Sequence, residues 1–156
     1  MLAICLYLIV SFLIYGSFYI TFEVFFTAFS NSFNLPEKVG FHKNALWGVS
    51  SVWMFVVGGT AGLILSGILL IFPNLIISII FLPLYIIAGG IIITVLELLA
   101  GLVFNKLLKW GIWDYSTLKF NFLGQIELWH SIGWCGLSFA VFWFSNILSF
   151  YFIFKG

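Results

Sequence analysis

Four long stretches of this chain carry almost no charge, and that feature leaves little choice of fold. Residues 2–29, 45–72, 75–105 and 125–154 are dominated by Ile, Leu, Val and Phe. About 20 such residues cross a bilayer as a helix, in which each backbone N–H and C=O finds its partner within the segment. Hydrophobic residues make up 63% of the 156 and charged residues 7%, against roughly 45–50% and about 25% in soluble domains. A soluble core of this size has nowhere to put so much apolar surface. The expectation is an all-α polytopic transmembrane bundle of about four spans, one of them kinked or broken, forming a single domain over residues 1–156.

Charge excludes several functions. A net charge of +1 offers no field for nucleic acid. There is no arginine, so any anion would be met by lysine, backbone N–H groups or hydroxyls. Cys5 and Cys135 sit in apolar runs and read as small hydrophobes rather than a disulfide. No Walker A, GxGxxG or CxxC motif occurs. ATP hydrolysis would therefore come from another chain, no cofactor is expected, and the chain is not expected to be an enzyme. The N-terminal run lacks a basic region and a small-residue cleavage site, so it reads as the first span rather than a signal peptide.

Two polar stretches separate the runs. Residues 30–44 carry Glu37, Lys38, His42 and Lys43 with Pro36 and Gly40, and residues 106–124 carry Lys106, Lys109, Asp114 and Lys119 among aromatics. With four spans, five lysines fall on one side and only Lys155 on the other. The positive-inside rule then places both loops in the cytoplasm and both termini outside the cell membrane. Within the second run, Gly58, Gly62 and Ser66 form a small-xxx-small face on which another backbone can approach closely. In the third, Pro83 and Gly89–Gly90 predict either one kinked span or a short re-entrant piece followed by a span from about Ile86.

Ionisable groups inside spans are costly and tend to face a bundle interior. Glu97, flanked by Val95, Leu96, Leu98 and Leu99, is the foremost candidate for a buried functional acid, and Gly101 and Asn105 share its helical face. Glu23 lies toward the end of the first span and is a second candidate. Glu127 and His130 have the Glu-x-x-His spacing of di-metal bundles, but such sites use two pairs and this chain has one. An ordinary Glu127–His130 hydrogen bond explains the pair as well.

Trp113-Asp114-Tyr115-Ser116, followed by Phe120-Asn121, Gly124, Ile126, Ser131 and Trp134-x-Gly136, resembles the WDYS…FN..G.I…S..WG pattern of the putative ABC-transporter type IV (CmpB-like) family. Gly48-x-Ser50-Ser51-x-Trp53-Met54-Phe55, Glu97-x-x-x-Gly101 and the stretch from Tyr15 to Glu23 are similar to further segments of it. The resemblance implies a permease-like or accessory component of a transporter. Glu23, Glu97, Asp114 and Asn121 would form a polar cluster at the cytoplasmic end, with the WDYS segment as a lid or docking surface. Two alternatives stand beside this reading. One is an intramembrane enzyme or metal-binding protein using Glu97, Glu127 and His130; the other is a non-catalytic lipid- or protein-interaction module. The expected partners are membrane lipid and either an ATP-hydrolysing subunit or further copies of the chain.

Overall fold

The computed structural model describes residues 2–30, 46–72 and 79–154. Its long helices are α1 (Leu2–Ser30), α2 (Val52–Ile71), α3 (Leu82–Gly101) and α4 (Leu128–Ser149). α3 continues as a π-helical turn over Leu102–Leu107 and α4 over Phe150–Phe154. All four are long and apolar enough to cross a membrane. α1 packs chiefly on α2 and α3 on α4, while α4 also touches α1 and α2. The expected four-helix membrane class is what the chain adopts.

Local chemistry sets the helix ends. Ser51 caps α2, its hydroxyl accepting from the Trp53 N–H at 3.3 Å. Pro83 lies in the first turn of α3, where its missing N–H is not needed, so it starts the helix instead of kinking it. Gly89 and Gly90 continue α3 without a break and let its backbone approach α4: a Cβ at Gly90 would lie 2.4 Å from the Cys135 sulfur. The departure from α geometry falls at the π turn after Gly101. Residues 75–78 of the expected re-entrant piece, and the polar loop holding Pro36, Lys38, His42 and Lys43, lie outside the described residues. α4 starts at Leu128, three positions later than the apolar run suggests. The intervening residues form a small antiparallel hairpin, β1 (Asn121–Phe122) and β2 (Ile126–Glu127), with Asn121 opposite Glu127.

The α1–α2 seam is a close backbone approach. A Cβ at Gly58 would fall 2.1 Å from Tyr19 Cβ, and one at Gly62 would fall 2.3 Å from Tyr15 Cβ. The glycines of α2 thus make room for tyrosines of α1. Those tyrosines belong to a stripe that the apolar composition conceals. Tyr7, Ser11, Tyr15, Tyr19, Glu23 and Thr27, four residues apart, are all buried, while Ile4, Leu8, Leu13 and Phe25 are exposed. In lipid, where apolar side chains are already well solvated, a helix gains by turning its polar side inward. α1 does this at every fourth position from Tyr7 to Thr27, while Ser17 and Thr21 are exposed.

Candidate functional site

Glu97 stands at the centre of the loop end of the bundle and has no exposed surface. Its Oε1 accepts the Tyr115 hydroxyl at 3.1 Å, and its Oε2 accepts the Trp134 indole N–H at 2.7 Å. The Trp134 ring in turn stacks on Tyr19, with centroids 4.6 Å apart. One carboxylate from α3 thereby joins the polar segment 108–127, α4 and, through the stacked rings, α1. Tyr115 lies outside the spans and is also fully buried. Burial, and then the Glu97 carboxylate beside it, push its phenol well above the ordinary range, so it acts as a neutral donor.

The segment that delivers Tyr115 is held by its own polar side chains. Asn105, two turns beyond Glu97, accepts the Ile112 N–H at 2.6 Å and donates to the Trp113 carbonyl at 3.0 Å and to Gln125 Oε1 at 2.9 Å. The Trp113 indole donates to the Gln125 carbonyl at 2.9 Å, and the Tyr115 N–H to the Gly124 carbonyl at 2.9 Å. Gly101 leaves space for this layer, since a Cβ there would lie 2.6 Å from Gln125 Oε1. Gly124 has φ +69° and a Cβ on it would lie 2.8 Å from Asp114 Oδ1, so glycine meets both a backbone and a steric need.

The remaining candidates fall around this clamp. Glu23 accepts a hydrogen bond from the Ser50 hydroxyl, and its carboxylate acts electrostatically on Glu97. Asp114 accepts the Ser116 N–H at 2.8 Å. Asn121 donates to the Leu118 carbonyl at 2.7 Å and accepts the Gly124 N–H at 3.0 Å. The structure therefore brings Glu97 and Glu23 into the bundle and sets Asp114 and Asn121 to shaping turns of the segment. Phe120 is exposed with φ 58°, and Trp53 packs against Phe104 and Trp110 with centroids 5.1 and 5.2 Å away.

Glu127 Oε2 caps α4 through the Trp129 and His130 N–H groups and meets His130 Nδ1 at 3.0 Å. The His130 ring lies between Phe26 and Tyr115, each 4.6 Å away by centroid. Its Nε2 is buried with no partner among the described residues. Those residues contain no group of three His, Cys, Asp or Glu side chains placed to hold a metal. Nothing in the sequence pairs Glu97 with Trp134, or Glu23 with Ser50. The available signal was the Trp134-x-Gly136 and Ser50-Ser51 motif positions, which carry no indication of direction.

A family model described as putative ABC-transporter type IV matches residues 10–155. No curated protein and no solved structure matches the chain.

Proposed function

Since the chain belongs to the putative ABC-transporter type IV family, we propose that it is the permease-like or accessory membrane component of a transporter whose ATP hydrolysis is supplied by another chain. The observation that carries this reading is the Glu97 clamp. A polar segment at the membrane surface is fixed to the bundle through a buried carboxylate, while Trp110, Phe120, Phe122 and Leu123 of that segment stay exposed. A surface ordered before a partner arrives costs less to bind than a loose loop. The segment is therefore suited to receive a second subunit.

Lys106, Lys109 and Lys119 are exposed on the same side. The positive-inside rule puts that side in the cytoplasm, where ATP is available, and both termini outside. Four spans are few for a conduit, so copies of the chain or a partner complete the assembly.

The test is mass spectrometry of the protein purified in mild detergent from native membranes. A stoichiometric ATP-hydrolysing subunit, lost on Phe120→Asp with Phe122→Asp, is the expected result. The chain alone, or with only lipid in stoichiometric amount, would overturn the transporter reading in favour of a lipid-interaction module.

A further inference from the structure

The buried stripe on α1 is more polar than helix packing requires. From Tyr7 to Thr27 it runs 20 positions, about 30 Å at 1.5 Å per residue, which matches the hydrocarbon thickness of a bilayer. Several of its groups lack partners. Among the described residues the hydroxyls of Tyr7, Ser11 and Tyr19 are buried with no hydrogen bond, as is that of Tyr85 on α3, a member of the same core cluster. A serine in a helix has an easy remedy in the carbonyl four residues back. Ser17, Thr27 and Thr94 all use it, and Ser11 does not. An unpartnered buried hydroxyl costs about 1–3 kcal/mol, so several in one file add up to a sizeable cost if nothing meets them. Buried water, with its roughly three hydrogen bonds, is the ordinary answer to such a group.

The file continues toward the loop end. The Tyr15 hydroxyl at its middle meets the Ser145 hydroxyl at 2.7 Å. One turn on, the Tyr19 ring stacks on Trp134, whose indole donates to Glu97 at 2.7 Å, and one turn further stands Glu23, which accepts from Ser50.

We propose that this file is hydrated and conducts protons between the far side of the membrane and the Glu23–Glu97 end. Each hydroxyl or water takes a proton from one neighbour and passes another to the next. A glutamate carboxylate takes up the arriving proton and later releases it toward the loop side. No bond other than O–H is made or broken, and the net change is one proton moved. The inference goes beyond the transporter reading and stands whether or not an ATP-hydrolysing partner exists.

The experiment uses the purified full-length chain in phosphatidylcholine–phosphatidylglycerol vesicles loaded with a pH-sensitive dye, with a valinomycin potassium potential as driving force. Proton entry should exceed that of protein-free vesicles about tenfold. Tyr15→Phe and Ser11→Ala should each reduce it several-fold, and lipid-facing Leu13→Ala should leave it unchanged. Thermal melts supply the second readout. If the file is hydrated, Tyr7→Phe and Tyr19→Phe lose bonds to water and leave the melting temperature equal or lower. Proton entry equal to that of empty vesicles, or a raised melting temperature in both phenylalanine variants, would overturn the proposal.

Discussion

At the loop end, the buried Glu97 and Gln125 and the half-buried Asn105 and Trp113 each find a partner within 3.1 Å, though the Tyr19 hydroxyl and His130 Nε2 beside them find none among the described residues. Toward the opposite end, the hydroxyls of Tyr7, Ser11 and Tyr85 are all buried and find none among the described residues. The difference separates two uses of buried polarity in lipid. Satisfied groups fasten pieces together, and removing one strands its partners. Unsatisfied groups fasten nothing within the protein, and removing one relieves a cost unless something else occupies the site. The same chemistry should therefore answer mutation with different sizes, and for dry sites different signs.

The largest effect should come from Glu97→Leu, which removes the acceptor of the Trp134 indole and of the Tyr115 hydroxyl together. At about 1–3 kcal/mol for each lost bond, the loss is roughly 2–6 kcal/mol of stability. Glu97→Gln keeps an acceptor for one of them and should lose about half as much. Unfolding in detergent measures both. A loss from Glu97→Leu no larger than that from Tyr85→Phe would erase the contrast between the two ends.

Close packing gives the next effect. Gly62→Ala puts a Cβ 2.3 Å from Tyr15 Cβ, whereas Gly67 has nothing within 4 Å of the equivalent position. The first should destabilise by about 1–3 kcal/mol through overpacking. The second should stabilise by about 0.5–1 kcal/mol, because alanine suits a helix interior better than glycine. Equal melts would mean that the α1–α2 seam yields more easily than its distances indicate.

Asn105→Ala removes the bonds to Ile112, Trp113 and Gln125 at once, and should cost about 1–3 kcal/mol. Its distinguishing mark is local: amide exchange should rise over residues 112–115 with little change in α1. Uniform acceleration throughout the bundle would show that the segment and the spans open as one unit.

The sequence made the membrane class and the span number legible because lipid imposes length and composition limits that survive any arrangement of helices. It also singled out Glu97, since an acid with four aliphatic neighbours has no route to water from the lipid side. It did not reveal what Glu97 would touch. Tyr115 and Trp134 are 18 and 37 positions away, and no periodicity within one element encodes a contact between elements. The polar stripe of α1 was present in the spacing of Tyr7, Ser11, Tyr15, Tyr19 and Glu23. Reading a span by counting apolar residues hides it, because the count ignores which way each side chain points. The start of α4 is hidden for a related reason. Gln125 and Ile126 look like the beginning of an apolar run, but Asn121 bonds to the Gly124 N–H, and the positive φ at Gly124 turns the chain into a hairpin first.

The smallest predicted loss tests the clamp by its proton. Tyr115→Phe removes the bond to Glu97 while keeping the ring against His130, and should cost about 1 kcal/mol at neutral pH. Because burial raises the Tyr115 pKa in the folded state above its ordinary value of 10.0, the folded state holds this proton more tightly than the unfolded chain does. That contribution is complete below the unfolded pKa and is lost as pH rises beyond it. The gap in unfolding free energy between the native chain and Tyr115→Phe should therefore be constant up to about pH 9 and shrink by about pH 11. Every other tyrosine is common to both proteins and cancels in the difference. A gap unchanged across that window would mean that the hydroxyl is not the group holding the polar segment to Glu97, and the two ends of the bundle would then differ less than their hydrogen bonds imply.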